Sequence, residues 1–192
     1  MARVVAPTTD RPTERPGARG TRVLLADGRS VELRPILPDD EPRLERFHEG
    51  LSDATVRNRF FTVHPHLTPL EAHRLTHVDR RLRDAVVALD GRTIVGVGRY
   101  EPTELRGVAE LGLVVTDSFQ GVGLGCALLR AVARMAADRG YGSLVATVLS
   151  TNRRMLGVLV RCGLPRAVTS TGGCTRVVLR LDEGAGAVTR SG

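Results

Sequence analysis

Short apolar runs separated by turn residues fill the first half of the chain, and helical spacings take over in the second. Arg22–Ala26 and Val31–Ile36 flank Asp27-Gly28, a turn pair that predicts a β-hairpin. Pro38-Asp39-Asp40-Glu41 predicts a helix start, with proline and acids in the first turn, where they suit the helix dipole. Ser52 predicts the cap of a second helix reaching Arg59. Thr68-Pro69-Leu70-Glu71 reads as a capping box opening a third helix to about Val78. Ala85–Leu89 and Thr93–Tyr100 read as strands joined at Asp90-Gly91, followed by a strand over Val108–Thr116 that is apolar almost throughout except for Glu110. From Gly123 to Arg139 the period changes: Leu124, Leu128, Ala131, Val132 and Met135 recur at helical intervals. A strand over Ser143–Leu149, a helix over Asn152–Cys162 with Leu156 and Leu159 inward, and a final strand over Arg176–Leu181 complete the pattern. Hairpins followed by strand–helix–strand–helix–strand predict an α+β (mixed α/β) sheet.

The 192 residues suit one domain, placed at 21–183, with a disordered leader over 1–20 and a flexible tail over 184–192. No apolar run approaches the ~20 residues of a membrane-spanning helix, and the start lacks the apolar stretch of a secretory signal. Cys126, Cys162 and Cys174 form no CxxC pair, so a reducing cytoplasm is the expected setting. The net charge of +7 is carried without a single lysine. That excludes a Walker A loop, a Schiff-base lysine and self-acylation on lysine. The positive charge suits an anionic ligand, but no stacking pattern or recognition-helix motif points to nucleic acid.

The chemistry concentrates where the Val108–Thr116 strand runs through Asp117-Ser118-Phe119-Gln120 into Gly121-Val122-Gly123-Leu124-Gly125 and then a helix. Glycines permit backbone N–H groups to converge, and the helix N-terminus adds unpaired donors, which together seat a phosphate or pyrophosphate. The dinucleotide fingerprint needs GxGxxG, whereas the spacing here is GxGxG, and the nucleotide loop needs a lysine. Both fail. Gln120 to Gly125 instead resembles the Q/R-x-x-G-x-G/A signature of the GCN5-related N-acetyltransferase (GNAT) family. The resemblance implies a mostly antiparallel twisted sheet flanked by helices, splayed into a V that takes acetyl-CoA as co-substrate. It implies that Gln120, Gly121, Val122, Gly123, Leu124, Gly125 and Cys126 surround the pyrophosphate. Leu113, Val114 and Val115 would line the pantetheine and supply an N–H to the thioester oxygen. Cys126 lies just inside the helix, where a thiolate is favoured, but direct transfer in the family makes it a packing residue.

The family's N-x-x-A-x-x-x-Y-x-x-x-G-F pattern meets Asn152, Met155, Gly163 and Leu164. Asn152 would reach the pantetheine and also cap its helix. The family tyrosine, often the acid for the leaving thiolate, falls at Leu159. Glu110 is expected to be the general base: partial burial in an apolar strand raises a carboxyl towards neutrality. A strand-end glutamate paired with an arginine is the alternative. The segments Arg34-Pro35-Ile36 with Pro38-x-Asp40-Glu41, Phe47-His48, Leu51-Ser52 and Arg59-Phe60-Phe61 resemble the GNAT domain of bacterial protein lysine acetyltransferases, which implies a protein acceptor such as an acyl-CoA synthetase. A small amine, or acyl-CoA sensing without catalysis, remains open, as does monomer or homodimer. Where that branch carries an acidic loop, this chain has Asp79-Arg80-Arg81-Leu82-Arg83, which predicts an acceptor with acidic surroundings. His64, His66, His73 and His77 lack the metalloprotease spacing, so no metal is expected.

Overall fold

The computed structural model describes residues 20–61 and 66–181. The leader over 1–19, His64 and the tail therefore lie outside the described residues. Eight strands form one sheet in the order β1-β2-β3-β4-β5-β6-β8-β7. They are β1 Thr21–Leu24, β2 Ser30–Pro35, β3 Asp84–Asp90, β4 Thr93–Pro102, β5 Val108–Val115, β6 Ser143–Leu149, β7 Arg166–Thr171 and β8 Cys174–Arg180. Every neighbouring pair is antiparallel except β5 and β6. The helices are α1 Glu41–Glu49, α2 Asp53–Phe60, α3 Pro69–Thr76, α4 Leu124–Asp138 and α5 Arg153–Arg161.

β3 and β4 are buried on both faces, because helices cover both sides of the central sheet. One face packs Leu124, Leu128 and Val132 of α4 and Leu159 of α5 against the sheet. The other packs Leu44 and Phe47 of α1, with Leu75 of α3, against Val87 and Val97. Gly96 and Gly98 of β4 bring α4 in close. A Cβ at Gly98 would lie 2.8 Å from Val132 Cγ2, and one at Gly96 would lie 2.9 Å from Leu128 Cδ1.

The expected caps form. Ser52 Oγ accepts from Thr55 N at 3.3 Å. Thr68 and Glu71 exchange both bonds of the capping box, at 3.2 and 2.8 Å, and α3 ends two residues before Val78. Asp40 behaves differently from a dipole-facing acid. The chain first makes a 3-10 turn over Pro38–Asp40, and Asp40 is fully buried. Its carboxylate accepts from Arg34 Nη1 and Nη2 (2.6 and 2.8 Å), Arg43 Nη1 (2.8 Å) and Leu37 N (2.9 Å). Burial works to raise its pKa, but these donors outweigh burial and hold the carboxyl below its ordinary value.

The C-terminal strand is a hairpin, not the single strand expected. β7 precedes β8 and joins it through Gly172-Gly173, with φ of 60° and 79°. Two positive-φ residues are what a tight type I′ turn requires. β7 is exposed along its whole length, so no apolar alternation marks it.

Candidate active site

β5 and β6 pair over only Val108–Glu110 and Ser143–Val145. β5 remains paired to β4 as far as Val115, and β6 to β8 as far as Leu149. Beyond Glu110 the two strands therefore part, leaving a wedge with unpaired backbone groups along its sides. A cavity of ≈ 220 Å³ fills the wedge. Its walls are β5 beyond Glu110, Ala146–Val148, one side of α5 and one side of α2 from Ala54 to Arg59.

Glu110 is the last paired residue and stands at the apex. Its side chain lines the cavity and is exposed, not partly buried as expected, because it stands where β5 and β6 part and the wedge opens. Leu113, Val114, Val115, Gln120, Gly121, Gly125 and Asn152 also line the cavity. Val122, Gly123, Leu124 and Cys126 do not. Leu124 is fully buried against the sheet, and Cys126 is a free, half-buried cysteine beside it in α4.

The glycine loop has the conformation its sequence implies. Gly121 and Gly123 have φ of 80° and 95°, which a Cβ would strain. Helix α4 starts with neither a side-chain cap nor an acid in its first turn. Its first N–H groups and positive dipole end thus suit an anion. The loop is braced from outside by the β1–β2 hairpin: Ala26 N donates to Val122 O at 3.0 Å, and Arg29 Nη2 donates to Ser118 O at 2.7 Å. At Gly125 a Cβ would lie 3.0 Å from Val158 Cγ2, so this glycine lets α5 close against α4.

Gln120 spans the mouth of the wedge. Its Nε2 donates to Val115 O (2.9 Å) and Thr55 Oγ1 (3.2 Å), and its Oε1 accepts from Arg154 Nη1 (2.6 Å). Asn152 Oδ1 caps α5 by accepting from Met155 N at 3.0 Å. Leu159, at the family tyrosine's place, is buried in the core and does not line the wedge.

On the opposite wall, Asp117 ties α2 to the loop after β5. It accepts from Ser52 Oγ (3.0 Å), Thr55 Oγ1 (3.1 Å) and Ser52 N (3.3 Å). Burial works to raise its pKa, yet these bonds prevail and lower it. This clamp positions Arg59, a residue that the sequence pattern did not single out as functional. Its guanidinium lies over Gly112: a Cβ there would fall 2.5 Å from Nη2 and 3.1 Å from Cζ. Burial pulls the Arg59 pKa down, and the negative charges of Glu110 and then Glu101 oppose it. Behind it lies a second cavity of ≈ 60 Å³, walled by apolar residues such as Phe47 and Leu51 and by Arg59 and Arg99. Arg99 is buried and bound to Glu101. Its Nε donates at 3.1 Å, while Nη2, 2.8 Å from the same oxygen, is not angled to donate. Glu101 and Glu110 sit directly opposite each other on β4 and β5.

The basic loop does less than its sequence suggests. Arg80 pairs with Asp84 at 3.0 Å and Arg83 with Asp79 at 3.8 Å, and none of the three arginines lines either cavity. His73 and His77 stack at 3.7 Å, and their Nδ1 atoms lie 2.9 and 3.2 Å from Glu41 Oε1, away from the wedge.

Comparison with known proteins agrees with this geometry. A family model described as an acetyltransferase (GNAT) domain matches residues 30–165. Acetyltransferase PA5475 of Pseudomonas aeruginosa is 32% identical over 135 residues, which are 68% of this chain and 73% of that protein. The crystal structure of the GNAT domain of S. lividans PAT is 33% identical with a TM-score of 0.79, covering 88% of this chain and 100% of that one. yncA of Salmonella typhimurium, solved with acetyl-CoA, shares the fold at 18% identity and a TM-score of 0.66, covering 81% of this chain and 96% of that one. The match over most of the domain, together with the forked sheet, makes the chain a member of the GNAT acetyltransferase family.

Proposed function

We propose that this protein transfers the acetyl group of acetyl-CoA directly to a lysine side chain of another protein, with Glu110 as general base. The observation that carries the reading is the position of Glu110, at the apex of a wedge whose two sides suit two different ligands. The fit on the donor side rests on Gly121 and Gly123, the uncapped start of α4, and the edge of β5 that β6 leaves unpaired beyond Glu110. Gly121 to Gly125 and Cys126 would surround the pyrophosphate through backbone N–H groups. The side-chain amide of Asn152 and the backbone of Leu113–Val115 would follow the pantetheine. The protein-lysine acceptor follows from the first-half resemblance and from the likeness to the PAT domain.

In this reading Glu110 accepts a proton from the acceptor ammonium, directly or through one water. The freed amine adds to the thioester carbonyl, and a β5 N–H donates to the oxygen as charge develops on it. The new C–N bond persists, the C–S bond breaks and the nitrogen passes its second proton to water. The thiolate leaves and takes a proton from water; a thiol of pKa about 8.5 makes this step feasible without an acid at Leu159.

Free-thiol release from acetyl-CoA with an acyl-CoA synthetase, lysine peptides and small amines tests the proposal. Glu110→Gln should retain acetyl-CoA binding and lose about 10²- to 10⁴-fold in kcat. Unchanged turnover removes Glu110 from the mechanism. Turnover with small amines alone moves the acceptor class, and tight acetyl-CoA binding without any turnover replaces the enzyme with a sensor.

A further inference from the structure

The charges around Glu110 pair off unevenly. Glu101 is taken by Arg99 and approached by Arg74 at 3.8 Å. Among the described residues neither Glu110 nor Arg59 has a hydrogen bond or ion pair. Among the charged side chains that line the larger cavity, Glu110, Arg59 and the exposed Arg161 at the end of α5 are thus left over. Of the two cations, Arg59 is the one set beside Glu110 on the β5 wall, within reach of its field but too far away to pair. Gly112, two residues past Glu110 on β5, is the seat of the guanidinium, since any side chain there would occupy its place. Arg59 lines the smaller apolar cavity as well, so its charge is presented to both cavities.

An unpaired guanidinium held in a partly dry wall is a fork-shaped donor set matched to a carboxylate. Resting on the acetyl-transfer reading above, we infer that Arg59 is a specificity residue selecting acceptors whose amine is accompanied by a carboxylate. For a protein this is an aspartate or glutamate flanking the target lysine. The ammonium goes to Glu110 and the carboxylate to Arg59. The preference for acidic surroundings, expected from the Arg80 to Arg83 loop, thereby acquires a different physical source.

The test measures kcat/KM with acetyl-CoA for peptides that differ only in the residues flanking one lysine: Asp/Glu, Asn/Gln or Arg. An ω-amino acid and the matching alkylamine form a second arm. The expected result is a preference of about tenfold or more for the carboxylate-bearing acceptor, carried by KM. Arg59→Gln should bring the ratio close to one, and Arg59→Lys should keep part of it. Gly112→Ala should also abolish it, with the arginine still present, by filling the seat. Acetyl-CoA binding by each variant, read by calorimetry, certifies the fold. Equal rates for acidic and amide-flanked peptides in the wild type, or a preference that survives Arg59→Gln, overturn the inference while leaving lysine acetylation standing. A preference seen only in the small-amine arm supports Arg59 and assigns the carboxylate to the acceptor itself. Silence in both arms with acetyl-CoA bound overturns the inference together with the reading beneath it.

Discussion

Asp40→Ala should cost about 3–5 kcal/mol, because it strands a buried charge. Asp40 is fully buried, and Arg34, its bidentate partner, is 9% exposed. The substitution removes the acceptor of four donors and leaves Arg34 with one bond of its own, from Nη1 to Pro35 O at 3.0 Å. Urea titration reads the loss as a fall in midpoint at unchanged slope. For a domain of this size the same loss lowers Tm by on the order of 10 °C. The acid limb supplies a second reading. The folded carboxyl titrates below the unfolded value of about 3.9. Its contribution is therefore complete from about pH 5 upward, clear of the unfolded value, and disappears as pH falls through the lower folded value. Asp40→Asn should flatten that limb. A loss under about 1 kcal/mol in Asp40→Ala, or an unchanged acid limb in Asp40→Asn, would refute the assignment of Asp40 as the anchor between β2 and α1.

Two further outcomes follow from the same reasoning. Asp117→Ala releases the N-terminus of α2, so it should cost about 1 kcal/mol and raise the acceptor KM several-fold with little change in acetyl-CoA affinity; an unchanged acceptor KM in a steady-state assay would show that the clamp is dispensable. Tyr100 is fully buried with its hydroxyl lacking a partner among the described residues, and burial, with help from Asp84, pushes its pKa up to about 12. The unfolded chain ionises this group near 10, so stability should fall as pH rises from there; Tyr100→Phe should flatten that alkaline loss in a denaturation series and leave neutral stability equal or higher.

What the sequence disclosed and what it hid divide along a physical line. Local chemistry was legible: Asp27-Gly28 turns a hairpin, Thr68 and Glu71 close a capping box, and the Gly121 to Gly125 spacing opens α4. β7 was not, because a strand exposed along its whole length has no apolar alternation; Gly172-Gly173 was the available signal. The role of Asp40 depends on Arg34 six residues away folding back over it, which first-turn acidity does not reveal. Arg59 was hidden more thoroughly. In a chain with 28 arginines and no lysine, one more arginine on a short helix carries no signal until Gly112, on a distant strand, is placed beneath it. Glu110 was legible as an odd charge in an apolar strand, but its exposure depends on where two strands part, which is a property of pairing and not of composition.

That parting has a mechanical consequence. Only three residue pairs stitch β5 to β6, while seven join each of them to its outer neighbour. The sheet is therefore two blades on a short seam, with α4 packed chiefly on β3, β4 and β5 and both α4 and α2 reaching across to β6. Spreading the blades breaks few backbone hydrogen bonds, so opening at the seam is a low-energy local event, well below the cost of unfolding either blade. Amide hydrogen exchange should divide accordingly. The central pairs of β3 with β4 and β6 with β8 exchange slowest, while the amides bordering the wedge exchange fast in the free protein and slow down once the wedge is filled. The feature that makes room for a substrate also makes this family's sheet report its own occupancy.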